Sequence, residues 1–184
     1  MGWQVDKSHT EVGFAVRHMM LATVRGRMAL AEADIQLDEA NPAGSWARAK
    51  IDVQSIDTRE PQRDAHLRSP DFFDAENHPY IEFASTSVRV KRPGEFEVTG
   101  DLTIRGVTRP LTLKGEFEGP LKDAWGKTRA GFHLEGELDR EAFGLTWNAM
   151  LETGGVVVGK TVKLSIDTEV VQEVAAEAPA ALAS

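Results

Sequence analysis

Apolar and polar residues alternate along most of this chain, a pattern typical of strands that bury one face. Near the N-terminus, Val12, Phe14 and Val16 alternate with charged residues or glycine. The same period of two recurs over residues 28–37, 47–53, 81–90, 96–104, 111–117, 132–138 and 162–170. A change of phase near residues 31–33 indicates a bulge or bend in the second strand. The pattern predicts about eight strands, each with an apolar face and a charged face.

Turn-forming residues separate these predicted strands, at residues 41–44, 92–94, 105–108 and 119–120. Regularly spaced strands of this kind indicate a sandwich or a barrel. Closure into a barrel removes sheet edges that would otherwise aggregate. Glycines within the strands indicate bends at barrel corners or close packing against a guest, at Gly100, Gly115, Gly131 and Gly136. We therefore predict an all-β fold, an antiparallel barrel of eight strands.

One segment, residues 58–79, breaks the alternation. Pro61 is suited to the first position of a helix, and a second short turn or helix is expected at residues 71–74. The sequence thus predicts a short helical insertion around residues 61–74. Asp64 and the neighbouring arginines are expected to fix this insertion on the barrel wall, because arginine pairs well with carboxylates. Phe72 and Phe73 are adjacent, so one is expected to face away from whatever the other buries, and at least one is expected to plug or line a barrel mouth.

Composition narrows the classes of function. The 184 residues suit a single domain, predicted over residues 1–173, and residues 174–184 are rich in small residues and predicted to be disordered. The net charge of −8 argues against a nucleic-acid or anionic-membrane surface. The absence of cysteine excludes disulfides and thiolate sites. Without a signal-peptide pattern or a long apolar run, we expect a cytoplasmic protein, or a secreted one if a signal was removed.

An eight-stranded barrel encloses a space that its own side chains fill or that one small ligand occupies. The inward faces are mostly Val, Leu, Ile and Phe, so a guest would be long and apolar. Each buried CH₂ contributes about 0.8 kcal/mol, so even a short hydrocarbon chain gains several kcal/mol. Alternation alone does not distinguish a lined tunnel from a filled core, and both alternatives stay open at this point.

Residues suited to catalysis or metal binding form no familiar constellation. His66 and Asp64 lack the spacing of a metal-binding pair on a helix, and no HExxH or Gly-x-Ser-x-Gly motif occurs. We therefore predict no catalytic residue, no catalytic cofactor and no metal site. His9 is expected to close a hydrogen-bonded turn with Asp6. His18 shares strand parity with the apolar residues of its strand, so it is expected near one mouth, either beside a head group or as a structural histidine.

Several motifs, in order along the chain, resemble those of YceI-like proteins. They are residues 3–18, Ile56-Asp57-Thr58-Arg59, and residues 63–74, 79–83, 100–108, 140–145 and 158–164. The resemblance covers residues 3–172. It implies an extended, lipocalin-like barrel of eight antiparallel strands that holds a polyisoprenoid or an isoprenoid quinone in its lumen, and a possible homodimer. Many members of the family carry a signal peptide, and this sequence departs from that pattern.

The sequence and the resemblance together predict a binding protein for transport, storage or sequestration of an isoprenoid lipid. The ligand is expected to contact apolar side chains and one histidine: Phe14, Val16, His18, Met20, Leu21, Phe72, Phe73, Phe83, Leu102, Phe132, Leu134, Trp147 and Met150. One alternative is an isoprenoid-modifying enzyme that uses His18 or Asp64 as an acid–base group. Another is a filled barrel that serves as a stress-related interaction scaffold.

Overall fold

Eight antiparallel strands and one short α-helix form the part of the chain that the computed structural model describes, residues 2–173. The elements are β1 (Trp3–His18), β2 (Ala22–Gln36), β3 (Trp46–Asp57), α1 (Pro61–Arg68), β4 (Tyr80–Arg92), β5 (Glu95–Ile104), β6 (Val107–Lys122), β7 (Thr128–Asp139) and β8 (Val158–Gln172). Each strand pairs with the next, and β8 pairs with β1 to close the barrel. The predicted eight-stranded antiparallel barrel is confirmed; the predicted disordered tail lies outside the described residues.

Strand parity places the apolar side chains inside the barrel. On β5, every second residue from Val98 to Ile104 is buried, whereas Thr99, Asp101 and Thr103 between them are more exposed. Successive side chains of a strand point to opposite faces, so one face of each strand supplies the interior. The alternation in the sequence therefore identifies the inward face correctly.

The pairing register shifts in several strands, β2 and β6 among them. The pairing of β2 with β3 shifts between Leu30 and Glu32, where the sequence indicates a change of phase. The predicted turn at Gly119-Pro120 is wrong, because β6 continues through it to Lys122. Its register against β7 shifts at this point, and a bulge accommodates a proline that cannot donate to the ladder.

The helical insertion after β3 is as predicted, since α1 ends at Arg68 and turns follow over residues 69–77. Glu60 caps the helix by accepting a hydrogen bond from the Gln62 N–H, and Pro61 occupies the first turn. The buried Asp64 carboxylate accepts hydrogen bonds from the backbone N–H and the hydroxyl of Thr58, at 2.9 and 2.5 Å. These contacts connect the helix to the end of β3.

Asp64 and the arginines fix this insertion on the barrel wall as expected, although not through arginine–carboxylate pairs. Arg68 donates instead to the carbonyl oxygens of Gln54 and Ile56, each at 2.9 Å. Strand β4 pairs with β3 only as far as Asp52. Beyond that residue the arginine donates to the backbone of β3.

The two ends of the barrel differ in their connections. We call the end with loops 37–45, 93–94 and 123–127 the open end. The other end carries the turns at 19–21 and 105–106, segment 58–79 with α1, and segment 140–157; we call it the closed end. Within residues 2–173, no helix is both long enough and apolar enough to cross a membrane.

Candidate functional site

A cavity of about 690 Å³ runs along the barrel axis. Strand residues on its wall are almost all aliphatic or aromatic, and every strand contributes to it: Trp3, Val5, Val12, Phe14, Val16, Met28, Leu30, Ile35, Ile51, Ile81, Phe83, Val88, Val90, Phe96, Val98, Leu102, Ile104, Leu111, Leu113, Phe117, Phe132, Leu134, Leu138, Val162, Leu164, Ile166 and Val170. The volume lies within the range of ordinary ligand pockets. The barrel is therefore a lined tunnel, and the filled-core alternative does not describe it.

The tunnel is sealed at one end and open at the other. At the closed end, Phe72 and Leu145 lie on the wall and are buried. At the open end, the wall includes exposed residues, among them Trp46, Arg92 and Pro93. A guest therefore has its access from the side of loops 37–45 and 93–94.

Glycines facing inward make room for phenylalanine rings against the wall. The ring of Phe96 lies over Gly115, and that of Phe83 over Gly100, so closely that a Cβ on either glycine would lie within 2.4 Å of a ring carbon. Phe14 lies over Gly26 in the same way. A ring held flat on a neighbouring strand occupies little of the tunnel's cross-section. These glycines therefore make room for phenylalanine rings of the chain itself, and the rings leave the axis of the tunnel open.

Gly131, another of the strand glycines, does not face the tunnel. It pairs with Glu118 and Glu169 and has the opposite parity to Phe132, which lies on the wall. No atom lies within 4 Å of the position that its Cβ would occupy. Close packing is therefore not the role of Gly131, and the other predicted role, a bend of the strand, stays a prediction.

Arg140 is a buried cation at the closed end of the tunnel. Its guanidinium donates hydrogen bonds to the carbonyl oxygens of Leu145, Trp147, Val158 and Gly159, over distances of 2.5 to 3.3 Å. Burial lowers the pKa of this guanidinium. Because its bonds hold segment 140–157 to the start of β8, its main role is to fix the closed end.

Polar side chains gather at the open end instead. Arg92 donates from two nitrogens to the Glu95 carboxylate, at 3.0 and 2.7 Å, and both residues lie on the wall. The Arg48 guanidinium lies 5.5 Å from the centre of the Trp46 ring. The tunnel thus changes from hydrocarbon along its length to charged and amphipathic groups at its mouth.

Eight of the predicted ligand-contacting residues lie on the tunnel wall: Phe14, Val16, Phe72, Phe73, Phe83, Leu102, Phe132 and Leu134. Phe72 and Phe73 both reach it, so the expectation that one would face away is wrong. They belong to a turn rather than a strand, and strand parity does not apply to them. Contact with a ligand remains a prediction for all eight.

The other predicted residues lie away from the wall: His18, Met20, Leu21, Trp147 and Met150. Pairing of β1 with β8 shifts between Val16 and His18, so parity no longer carries His18 inward. Met20, Leu21 and Met150 are exposed at the closed end. Trp147 packs outside the tunnel against Phe72 and His66, at ring-centre distances of 5.4 and 4.7 Å.

Many wall residues are absent from the predicted set although the sequence marks them. Phe96, Val98, Leu113 and Leu164 have the same alternation as the residues that were chosen. Leu67 is different, because it reaches the tunnel from α1. Strand periodicity identifies the first group and gives no signal for the second.

One polar cluster outside the tunnel has a composition suited to a metal ion. Asp6, His9 and Glu169 bring their donor atoms together, and His9 contacts the Asp6 carboxylate at 2.9 Å, as predicted. Arg129 donates to both Asp6 and Glu169, at 2.9 and 3.0 Å. The guanidinium supplies the positive charge that these carboxylates need. Hydrogen bonds from Ser8, Arg129 and His9 hold the pKa of Asp6 well below its usual range.

The YceI-like domain family matches residues 3–170. The chain belongs to the YceI-like family. It is 38% identical over 167 residues to an UPF0312 protein of Staphylococcus epidermidis, covering 89% of this chain and 94% of that protein. It is 41% identical to an UPF0312 protein of Vibrio parahaemolyticus over 125 residues. These residues are 68% of this chain and 66% of that relative.

Solved structures share the barrel. BcnA of Burkholderia cenocepacia superposes with a TM-score of 0.79 at 22% identity, over 90% of this chain and 99% of BcnA. A polyisoprenoid-binding domain from Saccharophagus degradans superposes with a TM-score of 0.66 at 13% identity, over 94% of this chain and 99% of that domain. At these identities the likeness concerns the fold.

Proposed function

We propose that this YceI-like protein binds one long apolar molecule with a polar head, a polyisoprenoid or an isoprenoid quinone, in the barrel tunnel. The observation that carries the proposal is the open apolar tunnel of about 690 Å³. The polyisoprenoid-binding domain from Saccharophagus degradans, which has the same fold, supports this class of ligand. Transport, storage and sequestration are the roles that such binding serves.

The guest enters tail first in this proposal. Its hydrocarbon end lies against Phe72 and Phe73 at the closed end, and its polar head lies near Arg92 and Glu95 at the mouth. A charged or carbonyl head is costly to bury unless it finds a hydrogen-bond partner. At the closed end, Arg140 already donates its hydrogen bonds to backbone carbonyls. The mouth is therefore the better place for the polar head.

The length of the tunnel limits the length of the bound tail. On β5 the wall runs from Phe96 near the mouth to Ile104 at the closed end. At about 3.3 Å per residue, and after the tilt of a barrel strand, this is roughly 20 Å. An extended isoprene unit is ~5 Å long by ordinary bond lengths. The tunnel therefore suits a tail of about four isoprene units along its straight part.

Binding of a chain-length series tests this function. Prenols with increasing numbers of isoprene units compete with a fluorescent prenol for the purified protein. We expect affinity to rise by at least ~10-fold per unit, because each buried carbon adds to the free energy of binding, and then to level off near four units. Equal, weak affinity for all lengths would contradict binding inside the tunnel.

Binding without catalysis is part of the same proposal. The Asp64 carboxylate is buried in hydrogen bonds to Thr58, and His18 lies away from the tunnel wall. Neither is therefore placed to act on a guest. Unchanged handling of isoprenoid substrates by Asp64→Asn and His18→Ala variants is the expected result. The cytoplasmic location and the homodimer also remain proposals, which cell fractionation and light scattering test.

A further inference from the structure

The open end of the barrel exposes large apolar side chains around the tunnel mouth. They are Trp46, Val90, Leu121 and Trp125, and we call them the mouth rim. Trp46 and Val90 also belong to the tunnel wall, and Leu121 and Trp125 are exposed at the same end of the barrel. The apolar lining of the tunnel therefore reaches the surface at Trp46 and Val90. Exposed apolar groups gathered at one end of a protein mark interaction sites.

Trp125 is the most exposed of these side chains, with 84% of its surface accessible. The loop that carries it is rigidly built: the Asp123 carboxylate accepts hydrogen bonds from the backbone N–H groups of Trp125 and Lys127, both at 2.9 Å. Its second oxygen accepts from Arg129 at 2.9 Å. The turn thus holds the indole outward before any partner is present.

Two lysines flank the tip that carries Trp125. Lys122 and Lys127 are exposed, and the acidic residue of this loop, Asp123, is bound by Arg129, which also pairs with Asp6 and Glu169. Tryptophan prefers the boundary between hydrocarbon and headgroups. Lysine lays its stem along apolar surface and directs its ammonium group to phosphate. This combination suits a phospholipid surface.

We propose that the mouth rim docks transiently on a phospholipid bilayer, with Trp125 inserted between headgroups, so that a guest passes between membrane and tunnel without crossing water. The inference rests on the proposed function, because a long isoprenoid is stored in lipid rather than in solution. Docking is brief, since few side chains insert and the net charge of −8 opposes retention on anionic surfaces. Phosphatidylcholine vesicles are therefore the appropriate donor.

The closed end supplies a matched control. Leu21 is 79% exposed there, yet Phe72 and segment 140–157 seal the tunnel behind it. Leu21→Ser and Trp125→Ser each remove one exposed apolar side chain, at opposite ends of the same barrel. Neither residue lies on the tunnel wall, so neither change should alter the intrinsic affinity for a guest.

The test measures uptake of a fluorescent prenol from phosphatidylcholine vesicles. We expect Trp125→Ser to slow the initial rate by roughly 10-fold, Lys122→Glu with Lys127→Glu to slow it several-fold, and Leu21→Ser to leave it unchanged. The same prenol added from ethanol should reach the same final occupancy in every variant. Equal rates for Trp125→Ser and Leu21→Ser would overturn docking and leave the binding function intact.

A second measurement separates docking from binding. The chain contains no cysteine, so a polarity-sensitive dye can be placed on Ala124→Cys or on Leu21→Cys. Vesicles should shift the emission of the dye at position 124 to the blue and leave that at position 21 unchanged, even if no prenol binds. No shift at position 124, or self-association in its place, would overturn the proposal. Failure of ethanol-delivered prenol to bind any variant would instead refute the proposed function.

Discussion

The ring of Phe96 lies so close to Gly115 on the neighbouring strand that a Cβ on this glycine would be 2.2 Å from the ring's Cζ. The two residues are direct partners in the β5–β6 ladder. Because glycine has no side chain, the ring can lie against the backbone and leave the axis of the barrel free. Phe14 lies over its ladder partner Gly26 in the same way, and Phe83 lies over Gly100, which is diagonal to it in the ladder. The tunnel therefore depends on phenylalanine rings that each lie over a glycine of the neighbouring strand.

Gly115→Ala should narrow the tunnel. The new methyl group would push the Phe96 ring toward the axis, and we expect affinity for a long prenol to fall roughly 10-fold, with a loss of about 1–3 kcal/mol in the free energy of unfolding from overpacking. Competition binding and chemical denaturation measure the two effects. Gly131→Ala is the control, because open space surrounds that position. Adding Phe96→Leu to Gly115→Ala should restore affinity, and failure to do so would contradict this explanation.

Phe73→Ala should lengthen the tunnel at its closed end. Phe73 lies on the wall beside α1, and its loss frees space for about one more isoprene unit. We expect the chain length of highest affinity to shift upward by about one unit in the prenol series. Val90→Ala removes a wall side chain at the mouth, and it should leave the preferred length unchanged. A shift in both variants would show that the closed end does not limit the tail.

Arg140→Met should destabilise the barrel. It removes a donor from each of four backbone carbonyls, and buried carbonyls without donors cost free energy. The Val158 carbonyl keeps a hydrogen bond from the Asn148 amide. We expect a loss of about 2–4 kcal/mol in the free energy of unfolding, measured by urea denaturation. Arg140→Lys should rescue little, because one ammonium group cannot reproduce the planar set of donors. Arg89→Met, at an exposed strand position, should change stability by less than about 0.5 kcal/mol.

The stabilising effect of Asp6 should depend on pH. Its hydrogen bonds to Ser8, Arg129 and His9 hold its pKa below the unfolded value, so its contribution is complete above that value and declines as pH falls toward the folded value. Asp6→Asn should therefore cost about 1–2 kcal/mol at pH 7, and the difference from the unmodified protein should shrink below about pH 4. Thermal unfolding at several pH values measures it. A difference that stays constant down to low pH would contradict an electrostatic origin. Glu76→Gln, at an exposed loop position, serves as the control.

Strand periodicity predicts much of the barrel and its wall. Alternation along the chain identifies Leu102, Phe132 and Leu134 as inward, and the structure places all three on the tunnel. Periodicity fails where the backbone leaves the regular strand. His18 follows a shift in pairing, Phe72 and Phe73 belong to a turn, and Leu67 belongs to α1. In such places the direction of a side chain depends on tertiary packing rather than on its position in the sequence.

The sequence also does not predict which residues face each other on neighbouring strands. The chain shows that Gly100 and Gly115 interrupt apolar faces, but the register that puts Phe96 opposite Gly115 depends on loop lengths and bulges. A one-residue slip in register would pair each ring with a different neighbour. The difference between a lined tunnel and a filled core follows from these pairings, and it becomes visible only in three dimensions.

Native mass spectrometry of the purified protein tests the central claim most directly, because it reports the mass of any guest together with the oligomeric state. We predict one long apolar molecule per barrel, lost on extraction with organic solvent and regained when a prenol of about four isoprene units is added. Protein from several hosts that carries no guest and takes up no added prenol or quinone would contradict the claim.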